Sequence, residues 1–78
     1  MRAFKGDLLR TKRAVTFSAH TGVQAPGTLC LVAEVKWVGR DTDLVRMLYE
    51  EHECDIWLDD FNLELVSPGE ERIMREGR

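Results

Sequence analysis

No stretch of this chain is apolar for long enough to cross a membrane as a helix, and it contains no internal repeat or low-complexity segment. Those absences exclude a helical membrane span, a solenoid and a biased linker. Cysteine is scarce: Cys30 and Cys54 are the only two, and no C-x-x-C pair occurs. The usual spacing of a structural zinc site is therefore missing. Residues 1–13 are charged and lack the apolar core of a signal peptide. The expectation is a cytoplasmic protein with reduced thiols, each behaving as a small buried hydrophobe. Charge of one sign is not in large excess either. Eleven Lys/Arg against fourteen Asp/Glu give a net charge of −3 and a pI of about 5.3. Nucleic-acid modules are commonly basic at the level of the whole domain, so this balance argues against one.

What is present is enough for one core. Of 78 residues, 44% are apolar, which separates the chain from disordered tails. A domain of this size has little volume for a deep active site. It is expected to work by presenting a surface, or by adding protomers to build a site. The charge is unevenly spread, at +4 over residues 1–46 and −7 over residues 47–78. Such asymmetry steers a partner unless strands from the two halves interleave and cancel it.

The strongest local signal is residues 27–38. Leu29, Leu31, Ala33, Val35 and Trp37 alternate with Cys30, Val32, Glu34, Lys36 and Val38. A period of two over that length predicts a long strand in an antiparallel sheet, buried mainly on one face. Strands are also expected at residues 7–11, 44–49, 54–58 and 63–66, with a short extension around Val15 and Phe17. Residues 18–27 read as a loop ending in the Pro26-Gly27 turn signal. Residues 39–43 and 50–53 read as polar hairpin loops. Asp59 is placed to cap a single helical turn over residues 59–62. Ser67-Pro68-Gly69-Glu70 has the spacing of a capping box with proline at the first helical position. It predicts a short helix of about nine residues, packed by Ile73 and Met74. The expected core is Leu8, Val15, Leu29, Leu31, Ala33, Val35, Leu48, Ile56, Leu58, Phe61 and Leu63. For residues 44–49 the inward face is open, because both faces carry apolar side chains.

Two places carry a family resemblance. Gly6-Asp7-Leu8-Leu9-Arg10-Thr11 is similar to the G-D-x-V-R first strand of many bacterial SH3-like domains. Residues 54–66 (C-D-I-W-L-D-D-F-N-L-E-L-V) resemble their W-V-x-x-x-D-L-E-x-V closure, and Pro26-Gly27-Thr28 resembles the start of their second strand. The resemblance spans residues 6–66. It implies an all-β fold, a five-stranded SH3-like barrel over residues 1–66, with a short C-terminal helix in residues 67–78. It also suggests a small bacterial or phage protein that docks on a larger one. These motifs encode closure of the sheet and no chemistry. Type II dihydrofolate reductases share the architecture, but their V-Q-x-Y strand motif is absent here.

Candidate chemistry is sparse. His20, Cys30, His52 and Cys54 are the only residues for a Cys/His zinc site, and their spacing does not support one. The acids Glu50, Glu51, Glu53, Asp55, Asp59 and Asp60 lack the alternating oxygen ligands and the glycine of a calcium loop. Asp59-Asp60 diverge as neighbours and make a poor acid–base pair. No family signature surrounds a cysteine nucleophile. No enzyme activity, metal or cofactor is expected.

Trp37, Tyr49 and Trp57 are more informative. All fall on strands, and Trp57 lies on the face opposite Ile56. If Ile56 is core, Trp57 points out. Exposed aromatics on a small barrel suit protein docking, with Arg40 and Arg46 as a charged rim. Alternatively, Trp37 and Trp57 cover the end of the barrel as core. A second functional expectation is nucleic-acid binding through Arg10, Lys12 and Arg13. A homo-oligomer that builds a shared site is a third.

Overall fold

The computed structural model describes residues 2–18, 22–49 and 51–76. Seven strands precede one helix: β1 (Leu8–Thr11), β2 (Val15–Ser18), β3 (Gly22–Gln24), β4 (Leu29–Val38), β5 (Asp43–Tyr49), β6 (His52–Trp57), β7 (Leu63–Ser67) and α1 (Glu70–Glu76). Five strands form one antiparallel sheet in the order β6-β5-β4-β1-β7, while β2 and β3 pair as a separate hairpin. The all-β class therefore holds, with one short helix. Among the described residues the sheet edges β6 and β7 are not hydrogen-bonded to each other, so no continuous ladder closes the sheet. No helix among the described residues is long and apolar enough to cross a membrane.

Alternation explains the core on β1 and β5. Leu9 and Thr11 are buried beside outward Arg10, and Asp43, Val45, Met47 and Tyr49 are buried between half-buried Leu44, Arg46 and Leu48. On β4 the phase is the reverse of the expected one. Cys30 and Val32 are buried, whereas Leu29 and Leu31 face solvent. Two register shifts, between Val32 and Glu34 and between Val35 and Trp37, then turn Val35 to the inner side opposite Val45, while Val38 at the strand end stays exposed. The rest of the core is Ala3, Phe17, Leu58 and Leu63, with Val15, Val35, Cys54 and Ile56 packed against it. Of the other expected core residues, Phe61 is exposed and Leu8, Ala33 and Leu48 are only half-buried.

Two loops also differ from the sequence reading. The expected loop over residues 18–27 contains β3. The acidic loop is shorter than four residues, because β5 ends at Tyr49 and β6 begins at His52; Glu51 sits in the left-handed region at φ 69°. Asp59 does cap its turn, accepting from Phe61 N–H at 2.8 Å and from Asn62 Nδ2 at 2.9 Å.

Two buried aspartates, neither flagged by the sequence pattern, tie the ends of the chain to the sheet. Asp43 accepts from Arg2 Nη1 at 2.6 Å, fixing the lead-in before β1. Asp7 accepts from Phe4 N–H, Gly69 N–H and Arg72 Nε at 2.9, 2.8 and 3.0 Å. The capping box of Ser67 is not used. Gly69 is the N-cap instead, its carbonyl accepting from Ile73 N–H at 3.1 Å, and Asp7 meets the helix's positive end. Gly69 presses against backbone: a Cβ there would lie 2.7 Å from Asp7 N and 2.8 Å from Gly6 Cα. Ile73 and Met74 do not pack the helix, being 54% and 68% exposed. Polar contacts hold it, with Arg72 also donating to Arg2 O at 2.7 Å and lying 4.9 Å from the Phe4 ring centroid.

Candidate functional site

The register of β4, β5 and β6 sorts their outward side chains into three rows. Trp37, Leu44 and Trp57 form one row; Glu34, Arg46 and Asp55 form the next; Leu31, Leu48 and Glu53 form the third. Paired residues in an antiparallel ladder share a face, so each row runs straight across the three strands.

The tryptophan row is the most exposed. Trp37 and Trp57 are 57% and 51% accessible, and their rings meet edge-to-face at 5.5 Å and 90°. Gly39 makes room for this pair. It is buried, its N–H donates to Thr42 O at 3.0 Å, and a Cβ there would lie 2.8 Å from the Trp37 ring. Thr42 Oγ1 in turn donates to Leu58 O, tying the β4–β5 loop to the chain after β6. Beside Trp57 a groove of about 310 Å³ runs between β2 and the Asp59 turn, lined also by Thr16, Phe17, Ile56, Asp59 and Asn62.

In the middle row, Arg46 donates to Asp55 through Nε at 3.0 Å and Nη2 at 3.5 Å. That hydrogen bond raises the guanidinium pKa and holds the Asp55 carboxyl below its ordinary value. Arg46 is thus engaged within the face, whereas Arg40 is exposed in the β4–β5 loop next to Asp41.

Tyr49 does not belong to this surface. It is 4% exposed, because its position on β5 shares the inner side with Val45 and Met47; its ring lies tilted against Phe17, 5.0 Å between centroids. Its hydroxyl is buried and has no hydrogen-bond partner among the described residues. The basic trio is partly compensated. Arg10 donates to Glu64 Oε1 at 2.9 and 2.5 Å, Arg13 lies 3.6 Å over the Phe61 ring, and Lys12 is exposed. Arg10–Glu64 and Arg72–Asp7 join the two halves of the chain, so the charge asymmetry along the sequence is blurred in space.

Of the residues weighed for zinc, His20 lies outside the described residues and Cys30 is buried, with Sγ 3.8 Å from Leu9 O. Burial, and secondarily Cys54, pushes the Cys30 thiol up to about 12, and burial also raises Cys54. No group of three or more His, Cys, Asp or Glu placed to hold a metal occurs among the described residues. No protein family, curated protein or solved structure matches this chain.

Proposed function

We propose that the chain is a small non-enzymatic interaction module of the SH3-like barrel type, cytoplasmic, and that it docks on a larger protein through Trp37 and Trp57. The carrying observation is that pair of indoles, each more than half exposed on the outer side of the sheet. Covering about 100 Å² of each ring would recover roughly 2.5 kcal/mol per tryptophan. Tryptophans of this kind are common binding hot spots. The groove beside Trp57 offers an adjoining recess, and Arg40 lies at the rim. What supports the SH3-like reading is the antiparallel five-stranded sheet β6-β5-β4-β1-β7 with β2 of the separate hairpin lying against β6. Nucleic-acid binding through Arg10, Lys12 and Arg13 is disfavoured by the engagement of Arg10 with Glu64 and of Arg13 with Phe61.

The test is an affinity capture with wild type, Trp37→Ala and Trp57→Ala, each with and without nuclease treatment. A protein retained by wild type, lost by both variants and indifferent to nuclease supports the reading. A partner kept by the variants and lost on nuclease treatment overturns it in favour of nucleic acid.

A further inference from the structure

We infer that the partner segment docking on the outer face of β4, β5 and β6 is basic, laying lysine or arginine side chains over Trp37 and Trp57 and beside the carboxylates next to them. The inference rests on the docking reading above and adds the partner's charge to it.

Two independent observations carry it. The first is surplus acid. Arg46 hydrogen-bonds Asp55, and Glu34 and Glu53, which flank it, act on the same guanidinium only through their charge, so three carboxylates draw on one arginine. Lys36 adds one positive charge near Asp55. Three carboxylates, Glu34, Glu53 and Asp55, thus share these rows with Arg46 and Lys36, and the surplus attracts an approaching cation and repels an approaching acid.

The second observation is how the molecule treats its other aromatics. Phe61 has Arg13 over its ring at 3.6 Å, and Phe4 has Arg72 and Arg75 at 4.9 and 5.7 Å. The tryptophans are the stronger acceptors of a cation over the ring. Yet neither indole carries a resident cation among the described residues, although both are open to solvent. The face therefore offers π surface and unspent negative charge together, which suits a lysine- or arginine-bearing segment.

Both tryptophans of the chain sit in this one row, so intrinsic fluorescence reports on the face directly. The full chain is titrated with an arginine-glycine repeat peptide and, in parallel, with an aspartate-glycine repeat of the same length. The expected result is a saturable change in tryptophan emission with the basic peptide alone. Affinity should fall about tenfold or more in Glu34→Gln/Glu53→Gln, in Trp57→Ala and at high salt. Glu34 and Glu53 are exposed and their carboxylates make no hydrogen bond among the described residues, so their double variant should keep its circular dichroism. Equal binding of the acidic peptide, or basic-peptide binding indifferent to either set of substitutions, overturns the inference. The two readings separate cleanly. A captured protein that needs Trp57 but ignores Glu34→Gln/Glu53→Gln keeps the docking surface and removes the basic partner. A captured protein indifferent to both tryptophans removes the docking surface itself.

Discussion

Replacing Asp7 by alanine removes a carboxylate of zero accessibility that accepts from two backbone N–H groups and one guanidinium. Each lost bond is worth about 1 kcal/mol, and a donor left buried without a partner costs about 1–3 kcal/mol more. Arg72 still donates to Arg2 O, and α1 can open to let water reach Gly69 N–H, so the full sum is not reached. The expected loss is about 3–5 kcal/mol, as for other broken buried charge pairs. A 78-residue domain is stable by about 4–12 kcal/mol in all, so the variant should lose a large share of its stability. Urea denaturation followed by circular dichroism and by tryptophan emission reads this directly, and coincident transitions license the two-state treatment. Arg72→Ala should cost less, because Asp7 keeps its two backbone donors. The double variant should cost less than the sum of the singles, since both remove one shared contact. An Asp7→Ala protein within about 1 kcal/mol of wild type would refute the view that this carboxylate ties both chain ends to the sheet.

Gly69→Ala should cost about 1–3 kcal/mol, because its Cβ would overlap the Gly6–Asp7 backbone; a urea midpoint equal to wild type sinks that account. Tyr49→Phe should be neutral or stabilising by up to about 1 kcal/mol, since the hydroxyl it removes is buried without a partner, and thermal denaturation checks this. The raised Cys30 thiol makes a pH prediction. The unfolded thiol loses its proton near its ordinary value of 9.0 while burial makes the folded one hold it to about 12. Stability from this group is therefore complete below pH 9 and is lost between about 9 and 12, at about 1.4 kcal/mol per pH unit. Cys30→Ala should show a shallower alkaline decline than wild type in paired denaturation curves, and identical slopes would contradict it.

Local patterns carried much of the fold. Period-two alternation located β4, most of β5 and β7, the turn residues located the hairpin loops, and Asp59 announced its own turn. Placing Ile56 inward also put Trp57 on the outer side, where it is found. What alternation could not choose was phase. Residues 29–33 are apolar at every position, so either face of β4 could be core, and the odd-numbered set was the wrong one. Likewise Tyr49 has the composition of a surface anchor but sits inside. β3 was missed because three residues, Gly22–Gln24, are too few to show a period.

The sequence alone thus determined an all-β chain with a short terminal helix, because alternation and turn chemistry act over two to five residues. Tertiary structure decided the rest, through pairings between residues distant in the chain. It selected the inner face of β4 by setting Val32 against Met47. It buried Asp7 against Gly69, 62 residues away in the chain. And it brought Trp37 and Trp57 to 5.5 Å across Leu44, which no reading along the chain contains, because their proximity exists only once three strands are in register.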